Sequence, residues 1–177
     1  VDDTLIMAMP RRELFAVNGF TGKVELPVLD CIANESWFST PSALAADLDA
    51  REVRLGLMLC QGTGPGAEIL VSEDGIAVHC AAIPPEVEHF GPRLAALKNL
   101  ARSGGRELAR ADGPVDLLGY CCEEALSETR GSIILVYRMR LPAGTAPPAG
   151  FSWVAPSGLR NLPLDPASTV ILAGILG

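Results

Sequence analysis

Four polar side chains crowd one short segment, and their types decide what chemistry it offers. They are Lys98, Asn99, Arg102 and Ser103, in the run Ala95-Ala96-Leu97-Lys98-Asn99-Leu100-Ala101-Arg102-Ser103-Gly104-Gly105. Asn99, Arg102 and Ser103 stand at i, i+3 and i+4, a spacing that puts them on one face of a helix. Two cations beside an amide and a hydroxyl suit a small anion held by charge-assisted hydrogen bonds. They do not suit Mg²⁺, a hard cation that takes carboxylate oxygens. Two readings of this face stay open. In one, Lys98 and Arg102 hold an anion such as a nucleotide or a sugar phosphate without metal. In the other, which is favoured because surface cations usually are solvated, Lys98 pairs with a structural carboxylate and Arg102 faces water.

Acids placed near this segment are few. Glu86 and Glu88 precede the segment, Glu107 follows it, and Glu123 and Glu124 come after a later strand. Glu86, Glu88, Glu123 and Glu124 are the candidates for displaced catalytic acids or bases. Each also reads as a solvated loop carboxylate. His89 reads as structural or solvated, and no Ser/His/Asp or Cys/His arrangement is legible. The five cysteines, Cys31, Cys60, Cys80, Cys121 and Cys122, are odd in number and form no Cys-x-x-Cys. They read as buried free thiols of a reducing compartment. A zinc site needs clustered ligands. Only His79 and Cys80 stand close, and neighbours on a strand point to opposite faces. No metal site is expected.

The elements that must position these groups follow from apolar runs and their punctuation. Strands are expected at Thr4 to Met9, Val53 to Cys60, Glu68 to Ser72, Ile76 to Ile83, Val115 to Cys122 and Ser132 to Leu141. Arg11 to Phe15 reads as a turn or short helix, Asn18 to Gly22 as loop, and Pro27 to Trp37 as a helix or mixed segment. A short helix runs from Ser42 to Ala50, with Thr40 as its N-cap and Pro41 at its first position. Gly62-Thr63-Gly64-Pro65-Gly66 imitates a phosphate-binding loop. A strand and not a helix follows it, so it reads as a connection between strands. The polar segment belongs to a helix over Gly91 to Ser103, with Leu94, Leu97, Leu100 and Ala101 as its apolar stripe and Gly104-Gly105 as its stop. Pro142 to Gly150 reads as a poorly ordered loop. Pro156 to Leu159 reads as a helical turn and Asp165 to Leu176 as a terminal helix opening at Pro166. Strands with helices on both sides make an α/β fold with a mixed sheet, expected as one domain over residues 1–177.

The helix resembles the signature helix of the Nudix hydrolases, A-A-x-R-E-L-x-E-E-x-G. The Ala pair, a cation at Lys98, Leu100 and Gly105 keep their places. Further stretches are similar to one bacterial Nudix subgroup: Ala8-Met9-Pro10-Arg11-Arg12-Glu13-Leu14-Phe15 followed by Gly19-Phe20, Val115 to Tyr120, Gly131 to Tyr137, and Phe151-Ser152-Trp153-Val154 before Leu159. The resemblance implies a Nudix-like α/β/α sandwich. It also implies that the family's three metal-binding glutamates fall on Asn99, Arg102 and Ser103. In the full signature, G-x5-E-x7-R-E-U-x-E-E-x-G-U with U bulky and apolar, the first Gly falls on Pro84, the first Glu on Phe90 and the last bulky position on Arg106. Hydrolysis of a diphosphate needs metal to neutralise developing charge and activate water. A degenerate signature therefore predicts a catalytically deficient binding or assembly module with no cofactor. The alternative is an active hydrolase of a nucleoside-diphosphate-linked compound, using Mg²⁺ or Mn²⁺ held by the displaced acids.

Composition bounds the partners. The chain has 177 residues, 49% of them hydrophobic and 20% charged, with a net charge of −7. That is globular and acidic. With no basic run, a nucleic-acid backbone is a poor partner. No apolar stretch approaches the roughly 20 residues of a membrane span. Val1-Asp2-Asp3 carries no basic n-region, and a cytoplasmic location is expected. The partners that remain are a small anion, another protein or a second copy in a homodimer.

Overall fold

The computed structural model describes residues 3–14, 18–123, 126 and 131–177. In chain order, β1 is Ile6–Pro10, and a 3₁₀ turn, Arg11–Leu14, follows it. β2, Gly19–Thr21, is an edge strand where loop chemistry was expected. Pairing decides it: Phe20 lies opposite Cys121 and packs on the second core cluster. α1 is Leu26–Glu35, β3 is Trp37–Ser39 and α2 is Pro41–Ala46. Thr40 Oγ1 accepts from Ala43 N at 3.3 Å, the expected cap. α2 ends at Ala46, short of the expected Ala50, which instead opens β4, Ala50–Gln61. The glycine-rich connection joins β4 to β5, Glu68–Ser72, as an antiparallel hairpin.

β6 is His79–Ala82 and not the longer strand expected from Ile76. Ser168 Oγ accepts from Ala77 N at 3.1 Å and from Val78 N at 3.0 Å. A side chain thus satisfies the amides that a ladder would otherwise use. A 3₁₀ turn, Pro85–Phe90, leads into α3, Arg93–Ala109. β7 is Val115–Cys122, β8 is Ser132–Leu141 and β9 is Phe151–Val154. The 142–150 connection is held in place by Trp153 Nε1, which donates to Thr145 O at 2.7 Å. α4 is Pro156–Leu159, and α5, Pro166–Leu176, is capped by Asp165 Oδ1, which accepts from Ser168 N at 3.2 Å.

Among the described residues one mixed sheet runs β2-β7-β8-β4-β1-β3, with β5 and β6 also on β4 and β9 on β5. The single parallel pair, β4 with β8, runs from Glu52↔Ser132 to Gln61↔Leu141 at the centre. Both strands are near-continuous apolar runs, as strands buried on two faces must be. Alternation sends Val53, Leu55, Leu57, Ile133, Leu135, Tyr137 and Met139 to the face covered by α1 and α3. Met58, Ile134 and Val136 go to the face covered by α4 and α5. The result is the expected α/β/α sandwich. It also explains the adjacent thiols: Cys122 joins the first cluster and Cys121 the second. No disulfide joins any of the five cysteines. Burial pushes the Cys121 thiol up to about 12.

α3 differs from expectation at its end and on its inner face. It runs through Gly104-Gly105 to Ala109, where Arg110 takes a left-handed conformation at φ 51°. Packing outweighs propensity here. A Cβ at Gly105 would stand 2.2 Å from Met139 Sδ, so this glycine lets the helix close on β8. The buried face is Ala96, Leu97, Ala101 and Gly105. Leu94, expected in the stripe, is 38% exposed. Among the described residues no helix is long and apolar enough to cross a membrane.

Candidate functional site

Each polar residue of α3 has a definite place. Asn99 Nδ2 donates to Phe90 O at 3.0 Å, which ties the helix to the turn before it. Arg102 closes on Asp112 through Nε to Oδ1 at 2.8 Å and Nη2 to Oδ2 at 2.7 Å. Gly113 N donates to Asp112 Oδ1 at 2.9 Å, and Arg106 Nε lies 3.9 Å from Oδ2. The Arg102 hydrogen bond is the main reason that the Asp112 carboxyl falls to about 2. Ser103 is half-buried, and Lys98 is exposed. Among the described residues Lys98 makes no ion pair. The expected pairing is therefore reversed: Arg102 has the carboxylate, and Lys98 is the cation left to solvent.

The other candidates do not converge. Glu88 Oε1 faces Arg93 Nη2 at 3.4 Å, and the same guanidinium lies 5.1 Å from the Phe38 ring centre. Glu86 and His89 are exposed on the 3₁₀ turn. Glu107 is exposed near the end of α3 and lines a groove of about 890 Å³ beside Thr145 and Pro148. Glu123 follows the last residue of β7. Asn18, with its amide oriented to satisfy its neighbours, donates to Glu123 Oε1 at 3.2 Å. Glu124 lies outside the described residues. Among those described, no three His, Cys, Asp or Glu side chains gather as a ligand set.

The metals implied by the resemblance do not fit the three positions on α3. Asn99 offers one neutral carbonyl oxygen in place of a carboxylate, on an amide whose N–H is held by Phe90 O. Arg102 carries a fixed charge that repels a dication. Ser103 offers one weak hydroxyl. Mg²⁺ takes carboxylate oxygens in an octahedron, and these three residues supply none.

Beneath Lys98 the sheet and two helices leave a cavity of about 350 Å³. Leu29 of α1, Leu94 and Lys98 of α3, Leu117 of β7, and Leu135 and Tyr137 of β8 line it. Asp116 of β7 also lines it. That residue lies opposite Arg138 in the ladder, on the other face of the sheet from Tyr137. Its carboxylate is bound there by Arg140 and lies 3.6 Å from Arg138 Nη2. The β-bulge between Leu117 and Gly119 lets Leu117 and Tyr120 both face the α3 side, since one extra residue reverses the alternation. A Cβ at Gly119 would meet Thr21 O at 2.0 Å, so glycine permits β2 to approach.

Tyr137 and Leu29 escaped the sequence reading because they lie far from Lys98 along the chain, and Asp112 escaped it although it follows α3 closely. Asp112 alone had a local signal, an acid just past the exit of a helix whose last turns are basic.

Comparison places this architecture among known folds. The solved structure of Tm1382, provisionally named a Nudix hydrolase, superposes with a TM-score of 0.74 at 14% identity, covering 97% of this chain and 98% of that one. Two lesser likenesses are to the NUDIX domain of Shewanella oneidensis NrtR, solved with ADP-ribose, and to the Nudix hydrolase RenU from M. smegmatis. The first has a TM-score of 0.47, 12% identity, and coverage of 71% of this chain and 90% of that one. The second has a TM-score of 0.41, 18% identity, and coverage of 69% and 82%. No protein-family model and no curated protein matches the sequence. At these identities the likeness speaks to fold: the chain has the Nudix-like fold, a mixed sheet between helices.

Proposed function

We propose that this chain is a Nudix-fold binding or assembly module and not a standard metal-dependent hydrolase. One observation carries the reading. The helix positions that the family's signature gives to metal-binding glutamates hold residues with structural work: Asn99 fastens the preceding turn, and Arg102 fastens the following loop through Asp112. A charge-assisted pair with two parallel bonds is a strong local tie. It also occupies the cation that a metal-free phosphate site would have used. What remains for recognition is Lys98 and the groove between α3 and the sheet.

The test pairs calorimetry with Mn²⁺ and a phosphate-release assay on ADP-ribose, coupled to an added phosphatase that frees phosphate from the AMP and ribose phosphate formed by cleavage. The expected result is no tight Mn²⁺ site and negligible hydrolysis. Metal-dependent turnover on the order of 1 per second or more would overturn the reading. It would then direct attention to Glu86, Glu88, Glu123 and Glu124.

A further inference from the structure

The cavity beneath Lys98 has the build of a ligand site. Its volume of about 350 Å³ lies at the lower end of small-molecule pockets, roughly 300–1,000 Å³. Its walls are leucines: Leu29, Leu94, Leu117 and Leu135. Leu94 is 38% exposed because it borders this open space and does not pack into the core.

Two polar groups converge on that apolar space. Tyr137 is 4% exposed, and its hydroxyl makes no hydrogen bond among the described residues. Buried tyrosine hydroxyls usually find a partner. Tyr137 is one of the residues that line the cavity, and its oxygen is not among the sealed, unsatisfied atoms of the interior. Burial raises the Tyr137 phenol above its usual range, which keeps it a neutral hydrogen-bond donor. At the rim stands Lys98, exposed and without an ion pair among the described residues. The nearest acid of the lining, Asp116, is already engaged by Arg138 and Arg140, so it does not cancel that charge. A lone cation over an apolar pocket, on a chain of net charge −7, selects for negative charge at the mouth.

We infer that this cavity binds a small amphiphilic anion: an apolar or aromatic body among the leucines, a polar atom at the Tyr137 hydroxyl, and a carboxylate or phosphate at Lys98. The inference deepens the binding-module reading and rests on it. It requires no metal and no reaction.

The experiment uses the whole chain in EDTA, with 4-(4-hydroxyphenyl)butyrate, 4-hydroxyphenyl phosphate and the neutral 4-(4-hydroxyphenyl)butanamide as probes, whose phenol oxygen is the polar atom for Tyr137. Binding is followed by NMR on labelled Tyr and Leu side chains. The expected result is saturable shifts at Tyr137, Leu135 and Leu94 with one or both anions, and much weaker shifts with the amide. The two anions report whether carboxylate or phosphate is preferred. Lys98→Gln should weaken the anions by up to about fivefold, the scale of a solvent-exposed ion pair. Tyr137→Phe, which preserves the packing, should weaken all three probes. No saturable shift at these residues would overturn the inference. So would shifts confined to the separate groove lined by Leu159 of α4 and by Leu172 and Leu176 of α5, or affinities unchanged in both variants. Failure here, with the phosphate-release assay also silent, removes this ligand class alone. Metal-dependent turnover removes the module reading whatever these probes do.

Discussion

The Arg102 guanidinium and the Asp112 carboxylate meet through two parallel hydrogen bonds of 2.8 and 2.7 Å, across the exit of α3. The pair makes the helix and the loop before β7 one unit. It also predicts a titration. The Asp112 carboxyl is held at about 2, first by the Arg102 hydrogen bond. A carboxyl lowered in the folded state contributes stability above its unfolded value, about 4. That contribution is lost as pH falls from there through about 2. Carboxyl-carbon NMR should find the Asp112 midpoint at about 2. In Arg102→Ala it should rise toward the ordinary value of 3.8. A midpoint already near the ordinary value in the unaltered chain would mean that the pair is open in solution.

Gly104 and Gly105 offer a paired test of packing against propensity. In an exposed helix interior, Gly→Ala stabilises by roughly 0.5–1 kcal/mol. Gly104→Ala should follow that rule, because its new Cβ meets only Leu57 Cδ2, at 3.9 Å. Gly105→Ala should do the reverse and destabilise by about 1–2 kcal/mol, an overpacking cost reduced by the helix gain. Met139→Val, which removes the sulfur facing Gly105, should make the two substitutions less than additive. Urea unfolding of the parent, Gly104→Ala, Gly105→Ala, Met139→Val and the double variant of Gly105→Ala with Met139→Val measures all of this. Equal stabilisation by both alanines would show that the helix stands farther from β8.

Those glycines also show where sequence reading stops. The start of α3, its leucine at residue 97 and the long apolar strands were legible, because each depends on local spacing. Gly104-Gly105 suggested a stop because glycine's usual meaning in a helix is local. Its meaning here depends on Met139, which sits on another strand. The cavity was illegible for the same reason. Lys98 and Tyr137 are brought together only by the packing of α3 on the sheet, and no periodicity reports that. Ile76 to Val78 looked like strand by composition, and only α5, at the far end of the chain, turns it into a bend.

Ser168 makes that bend a further prediction. Its side chain is fully buried and accepts from two amides, Ala77 N and Val78 N. Ser168→Ala leaves both donors without this acceptor. Each unsatisfied buried group costs about 1–3 kcal/mol, so the total for two should be about 2–6 kcal/mol. Hydrogen exchange at Ala77 and Val78 should accelerate before global unfolding. A cost below about 0.5 kcal/mol, typical of a neutral surface change, would mean that other acceptors serve these amides.

The last prediction asks whether the scaffold can still hold a metal when given the side chains. Asn99, Arg102 and Ser103 share one helix face at i, i+3 and i+4, and carboxylates at that spacing converge on a point beside the helix. The variant Asn99→Glu, Arg102→Glu, Ser103→Glu would place three there. Asp112 would then face Glu at residue 102 as a like charge, so Asp112→Asn is added to remove the repulsion. Loss of the Asn99 bond to Phe90 O frees the turn before α3, which makes circular dichroism and urea unfolding necessary controls. With the fold intact, calorimetry should detect Mn²⁺ binding in the variant at about millimolar affinity or tighter, and none in the parent. A folded variant with no Mn²⁺ heat would mean that these positions do not converge as a ligand set, and the alignment of α3 with the Nudix signature would fall with it.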